Sequence, residues 1–91
     1  MLRYEWNLEK NQWLRNTRDV CFEDVLAAIN EGHLLDVLPH HNPEKYPNQK
    51  LFIVLIRNYI YYVPFVESSE TIFLKNIIPS RKYQKQYLKK E

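Results

Sequence analysis

The spacing of apolar positions changes along the chain, and each change marks an element. Phe22, Val25, Leu26 and Ile29 recur at i, i+3, i+4 and i+7, which gathers them on one face of a helix. Ahead of them a first helix is predicted over roughly 7–18, with Asn7 as its N-cap. Trp6, Lys10, Trp13 and Leu14 fall along one side of it, and the two tryptophans read as packing residues, because aromatics at helical spacing ordinarily serve a core. Gly32 stands where a C′ glycine ends the second helix by adopting positive φ.

Beyond Gly32 the period shortens to two. "HLLDVL" reads as a short strand stopped by Pro39, and "PHHNPEKYPNQ" as an extended loop. "KLFIVLI" and "YIYYVPFV" flank Arg57-Asn58, a two-residue hairpin turn in which asparagine tolerates positive φ. Pro64 inside the second of these strands predicts an edge or a bulge there, since proline cannot donate to a ladder. "ESSE" turns the chain into "TIFLKNII", where Lys75 projects from the face opposite Leu74. Pro79 ends that strand, and Ser80 caps a last helix running toward Leu88, with Tyr83 and Tyr87 at i, i+4 on its buried side. The expectation is a single α+β domain over residues 1–91. It has two N-terminal helices, a small, mainly antiparallel sheet of three to four strands, and a C-terminal helix.

Composition narrows the chemistry. Cys21 is the only cysteine, which suits a reducing compartment, and no apolar run is long enough for a signal peptide or a membrane span. A soluble, cytoplasmic protein with no membrane partner is expected. The net charge of +2 is unevenly placed. From Lys75 onward, Lys75, Arg81, Lys82, Lys85, Lys89 and Lys90 face a single acid, Glu91, so the preceding chain is net acidic. Cations gathered at one end suit an anionic partner.

Several reaction classes lack their residues. One glycine leaves no glycine-rich phosphate loop, and one cysteine leaves no CxxC zinc site. His40 and His41 are adjacent in an extended loop, with His33 and Asp36 nearby in sequence. Neighbours in such a loop point opposite ways, so no metal site and no cofactor is expected. Cys21 opens a helix, as a cap would, without a recognisable base or oxyanion hole. Glu23 and Asp24 complement the positive end of the same helix.

Cationic chemistry remains. RNA carries its own nucleophile in the 2′-hydroxyl, so a protein that cuts it need only orient the backbone, stabilise developing charge and move protons. Lys75, Arg81 and Lys82 beside tyrosines supply suitable groups.

The opening "YEWNLEKNQWLRNTRDVCFEDVL" resembles the start of the BrnT family of bacterial type II toxins. That family's pattern is an aromatic-Glu-Trp-Asp cluster, a lysine four residues after the Trp, and Lys-His-Gly-Val-Ser-Phe-Glu. Glu5, Trp6, Lys10, Val20, Phe22 and Glu23 fall in register, and Arg18 takes the place of the histidine. The other end, "IIPSRKYQKQY", is similar to the family's "IISARKATRRERRLY". Ile77, Ile78, Arg81 and Lys82 match there, and Tyr87 matches across a gap. "NQKLFIVLI" looks like the family's second strand, with Lys50 where an arginine is usual.

The resemblance implies a RelE-like, metal-independent endoribonuclease that arrests translation. It implies a cognate antitoxin, typically DNA-binding and encoded by an adjacent gene, so that operator DNA is met only through the toxin–antitoxin complex. Arg81, Lys75, Tyr87 and Lys10 are then the catalytic candidates, and Lys82, Lys50, Lys85, Arg18 and His41 the candidate RNA contacts. The antitoxin is expected to add a strand at "YYVPFV" or to lay a helix over the basic junction. The alternative is a catalytically silent RNA- or protein-binding module on the same fold.

Overall fold

A computed structural model of the protein describes residues 3–87. In chain order the elements are β1 (Arg3–Trp6), α1 (Leu8–Arg18), α2 (Phe22–Asn30), β2 (Leu34–Pro39), β3 (Gln49–Ile56), β4 (Tyr59–Glu67), β5 (Thr71–Leu74), β6 (Ile78–Pro79) and α3 (Arg81–Tyr87). The strands join in one sheet of order β1-β5-β4-β3-β2, with β6 paired to β4 off this path. None of the helices is long and apolar enough to cross a membrane, among the described residues.

This corrects the expected architecture. The sheet has six strands rather than three to four, it is mixed, and the chain enters it before the first helix. β1 lies parallel to β5, with Tyr4 opposite Ile72 and Trp6 opposite Leu74. Its four residues alternate outward and inward, but so short a run is indistinguishable from the lead into a helix when read locally. Its partner lies almost the whole chain away, as a parallel pair with an intervening crossover requires.

Pro64 also sits elsewhere than expected. β4 is interior, paired to β3 along its length from Tyr59 to Val66. A strand residue points its nitrogen and carbonyl to the same side, and the Pro64 carbonyl accepts from Lys75 N–H at 2.8 Å. The missing donor therefore faces the flank where pairing passes from β5, which reaches Phe65, to β6, which starts at Tyr62. No bond to β3 is lost. Among the described residues β1 and β2 end the main strand order and short β6 pairs on one side only, while β4 is flanked on both sides, so "YYVPFV" is not free to receive an added strand.

The turns follow their local chemistry. Asn7 Oδ1 accepts from Lys10 N–H at 2.8 Å to cap α1. Arg57 and Asn58 take φ of 48° and 69°, both positive as a type I′ hairpin requires. Buried Asn11 joins the first two helices. Its Oδ1 accepts from Phe22 N–H at 2.7 Å and its Nδ2 donates to Glu23 at 2.9 Å.

Alternation along β3 and β4 splits the core in two. Phe52, Val54, Val63 and Phe65 face α1 and α2, meeting Leu14, Phe22 and Val25. Leu51, Ile53 and Ile60 face the other way and meet Tyr83 of α3. The helices thus lie on opposite faces of the sheet. That division decides which cations can act together.

Candidate nucleic-acid interface

α3 is seated by polar bonds as well as by Tyr83. Ser80 N–H donates to Ile60 carbonyl at 3.2 Å, and Gln84 Oε1 accepts from Ile60 N–H at 2.8 Å. Ser80 Oγ accepts from Tyr83 N–H at 3.2 Å, capping the helix. With these residues turned inward, Arg81, Lys82 and Lys85 are left exposed on the outer side. Among the described residues none of the three takes part in an ion pair.

His41 comes from the loop after β2 and reaches this helix. Its Nε2 lies 3.0 Å from Tyr83 Oη, and its ring packs edge-on to Tyr62 at 4.9 Å. Lys82 Nζ lies 5.4 Å from the Tyr83 ring centre. Desolvation, then the charge of Lys82 and of His40, hold the His41 imidazolium below the ordinary histidine pKa of 6.5. Burial raises the Tyr83 hydroxyl, helped by Tyr62 and Asp36. Neutral at pH 7 and bonded to a protonated phenol, His41 has the makings of a base beside cations.

Tyr87 is placed differently. Its hydroxyl donates to Asp36 Oδ2 at 2.8 Å, and burial and this bond raise its pKa. The group is engaged in holding α3 to β2. Lys75 is exposed just beyond β5, its Nζ 5.4 Å from the Phe73 ring centre. Lys50 lies in register with Pro39 and Phe65, on the face of β3 away from α3. It contributes nothing to the α3 cluster.

Lys10 and Arg18 form a second group on the α1 side. Both lie against Trp13, Lys10 Nζ at 4.4 Å and Arg18 Cζ at 5.0 Å from its ring centre. Arg18 Nη1 also donates to the Ile77 carbonyl at 2.5 Å and approaches Asn76 Oδ1 at 3.4 Å. The four catalytic candidates are therefore not one constellation. Arg81 and Tyr87 share α3, Lys10 belongs to the opposite layer, and Lys75 stands on the connection between.

Two participants were not singled out from the sequence. Tyr83 reads as a packing residue by its spacing, and its bond to His41 spans 42 positions. Trp13 is 44% exposed, in contrast to Trp6, which stacks on Phe22 with ring centres 5.7 Å apart. The i, i+3 spacing of Lys10 and Trp13 was the available signal.

Other candidate chemistries lack geometry. Among the described residues no group of three or more His, Cys, Asp or Glu side chains gathers to hold a metal. His40 turns to Tyr46, ring centres 4.5 Å apart, while His41 turns to α3. Burial pushes the Cys21 thiol up, away from the reactive thiolate. No protein-family model, curated protein or solved structure matches the chain.

Proposed function

We propose that this protein is a cytoplasmic, RNA-cutting toxin of the BrnT kind, acting without a metal and neutralised by a cognate antitoxin. The observation that carries the reading is the His41–Tyr83 pair, 3.0 Å apart, beside the exposed cations of α3. The motif matches at Glu5, Trp6, Lys10, Arg81 and Lys82 support it from the sequence side.

In the proposed reaction neutral His41 takes the proton of an RNA 2′-hydroxyl. The 2′-oxygen forms a bond to phosphorus as the bond to the 5′-oxygen breaks. Arg81 and Lys82 stabilise the charge that grows on the phosphorane oxygens. Protonated His41 then returns its proton to the leaving 5′-oxygen, with Tyr83 Oη holding the imidazole in place. The products are a 2′,3′-cyclic phosphate and a 5′-hydroxyl. An antitoxin, encoded beside the toxin and itself DNA-binding, would block this surface and carry the pair to operator DNA.

The test is induced expression with and without the neighbouring gene, with total RNA examined for cuts and their end groups. Growth arrest, cyclic-phosphate ends and relief by the neighbour are expected. The second reading, a silent binding module, is favoured by two observations: Lys10 lies in the layer opposite α3, and Tyr87 is bonded to Asp36. RNA bound tightly and left whole by purified protein would select it.

A further inference from the structure

Trp13 is a large aromatic ring left 44% exposed on α1, next in sequence to fully buried Leu14. A lone exposed apolar side chain is ordinary on a protein surface. Two cations against the same ring are not. Lys10 Nζ and Arg18 Cζ both fall within the distance at which a cation feels an aromatic face, at 4.4 and 5.0 Å. Neither is neutralised by a carboxylate among the described residues. Arg18 is held by the Ile77 carbonyl and Asn76 through Nη1 alone, so its remaining N–H groups make no hydrogen bond among the described residues.

We infer that Trp13, Lys10 and Arg18 form a base-stacking subsite for single-stranded RNA. A nucleobase stacks on the indole, and the phosphates flanking it meet the two cations. Lys10, a flexible stem with no ion pair, swings from the ring to a phosphate as the base arrives. Arg18, anchored at one nitrogen, offers the rest of its fork. Stacking of this kind tolerates any base, because every base has a π face.

The subsite lies within reach of α3 although it is on the other layer. Arg18 grips Ile77, and the four-residue step from there to Arg81 spans at most about 14 Å. A strand of a few nucleotides running from Trp13 past Arg18 can therefore present later phosphates to Arg81. The inference rests on the RNA reading above, and it assigns the substrate's single-stranded form and its direction of approach.

The chain has only two tryptophans, which gives a direct test. In a Trp6→Phe variant Trp13 is the only indole, and titration with an oligouridylate should quench its emission saturably. Where that variant does not fold, the difference in emission between the native chain and Trp13→Phe gives the same reading. Trp13→Ala should weaken oligouridylate binding about 5- to 150-fold, and Trp13→Phe should recover most of the loss. RNA that binds by anisotropy of a labelled strand without disturbing Trp13 overturns the subsite, even where RNA is cut. Emission that shifts with protein concentration and not with RNA overturns it too, and makes the ring a contact between copies. Quenching by RNA that is never cut leaves the subsite standing and removes the ribonuclease. No RNA binding at all removes both.

Discussion

Tyr87 donates its hydroxyl to Asp36 Oδ2 at 2.8 Å, joining α3 to edge strand β2 across 51 positions. Asp36 Oδ1 accepts from Val37 N–H at 2.8 Å, so the carboxylate is satisfied on both oxygens. A tyrosine so engaged stabilises the seat of α3.

Tyr87→Phe keeps the ring against Tyr83 and deletes this bond alone. A hydrogen bond to a partly exposed carboxylate contributes about 1 kcal/mol, below the value for a buried charged acceptor. The expected result is a lower urea midpoint with RNA cleavage unchanged. Cleavage lost at unchanged stability would return Tyr87 to the reaction itself.

The depressed pKa of His41 gives a pH dependence with a definite sign. Unfolded, the imidazole titrates near 6.5; folded, desolvation first and then Lys82 and His40 hold it lower. Between those two values the unfolded chain binds more protons, so stability falls as pH drops through that window. Above 6.5 the group is neutral in both states and contributes no slope. His41→Gln should remove this acid limb from a urea-midpoint profile taken across it. In the native chain the base form should persist below pH 6.5, so cleavage should decline only at lower pH than an ordinary histidine would give. A midpoint that His41→Gln leaves equally sensitive to acid would show that other groups set the profile.

What could be read from the sequence was local. Asn7 and its bond to Lys10 N–H lie three positions apart, and the Arg57-Asn58 turn needs only its own two residues. Long-range pairing was hidden. β1 is four residues whose partner, β5, begins at Thr71, and no local period announces a parallel match at that distance. Pro64 suggests an edge by its missing donor, but the flank that donor would face is set by the distant Lys75 N–H bonded to its carbonyl. The candidate site divided in the same way. The basic character of α3 is plain in "RKYQK", whereas the arrival of His41 at Tyr83 depends on how the loop after β2 folds back. Trp13 departs from the packing role because helical spacing says only which residues share a face, and the buried face of α1 holds Asn11 and Leu14 instead.

Phosphate contact should appear in the salt dependence of binding. Each contact to a single strand contributes a slope of roughly −0.7 in log affinity against log salt. Replacing Arg81, Lys82 and Lys85 together by alanine should therefore flatten the slope for an oligoribonucleotide by about 2. Lys50→Ala, on the face of the sheet away from α3, should leave it unchanged. An unaltered slope in the triple variant would move the phosphate path off α3.

Arg81 carries the most direct prediction about turnover. It is the first residue of α3, exposed, and without an ion pair among the described residues, so its removal breaks no described polar contact. Stability should stay within about 0.5 kcal/mol of the native chain, the usual range for such surface positions. A cation aimed at the scissile phosphate acts on charge that grows in the transition state, so its loss lowers turnover more than binding. Removing one such group from a preorganised site costs on the order of 3–4 kcal/mol, or a hundred- to thousandfold in rate. Arg81→Ala should thus lose growth arrest and RNA cuts while keeping its fold by circular dichroism and most of its RNA affinity. The native rate should persist in EDTA, because the proposed proton transfer and charge stabilisation use side chains alone. Full toxicity in folded Arg81→Ala protein would displace Arg81 as the principal phosphate contact, and Lys75, on the same connection, would be the next residue to replace.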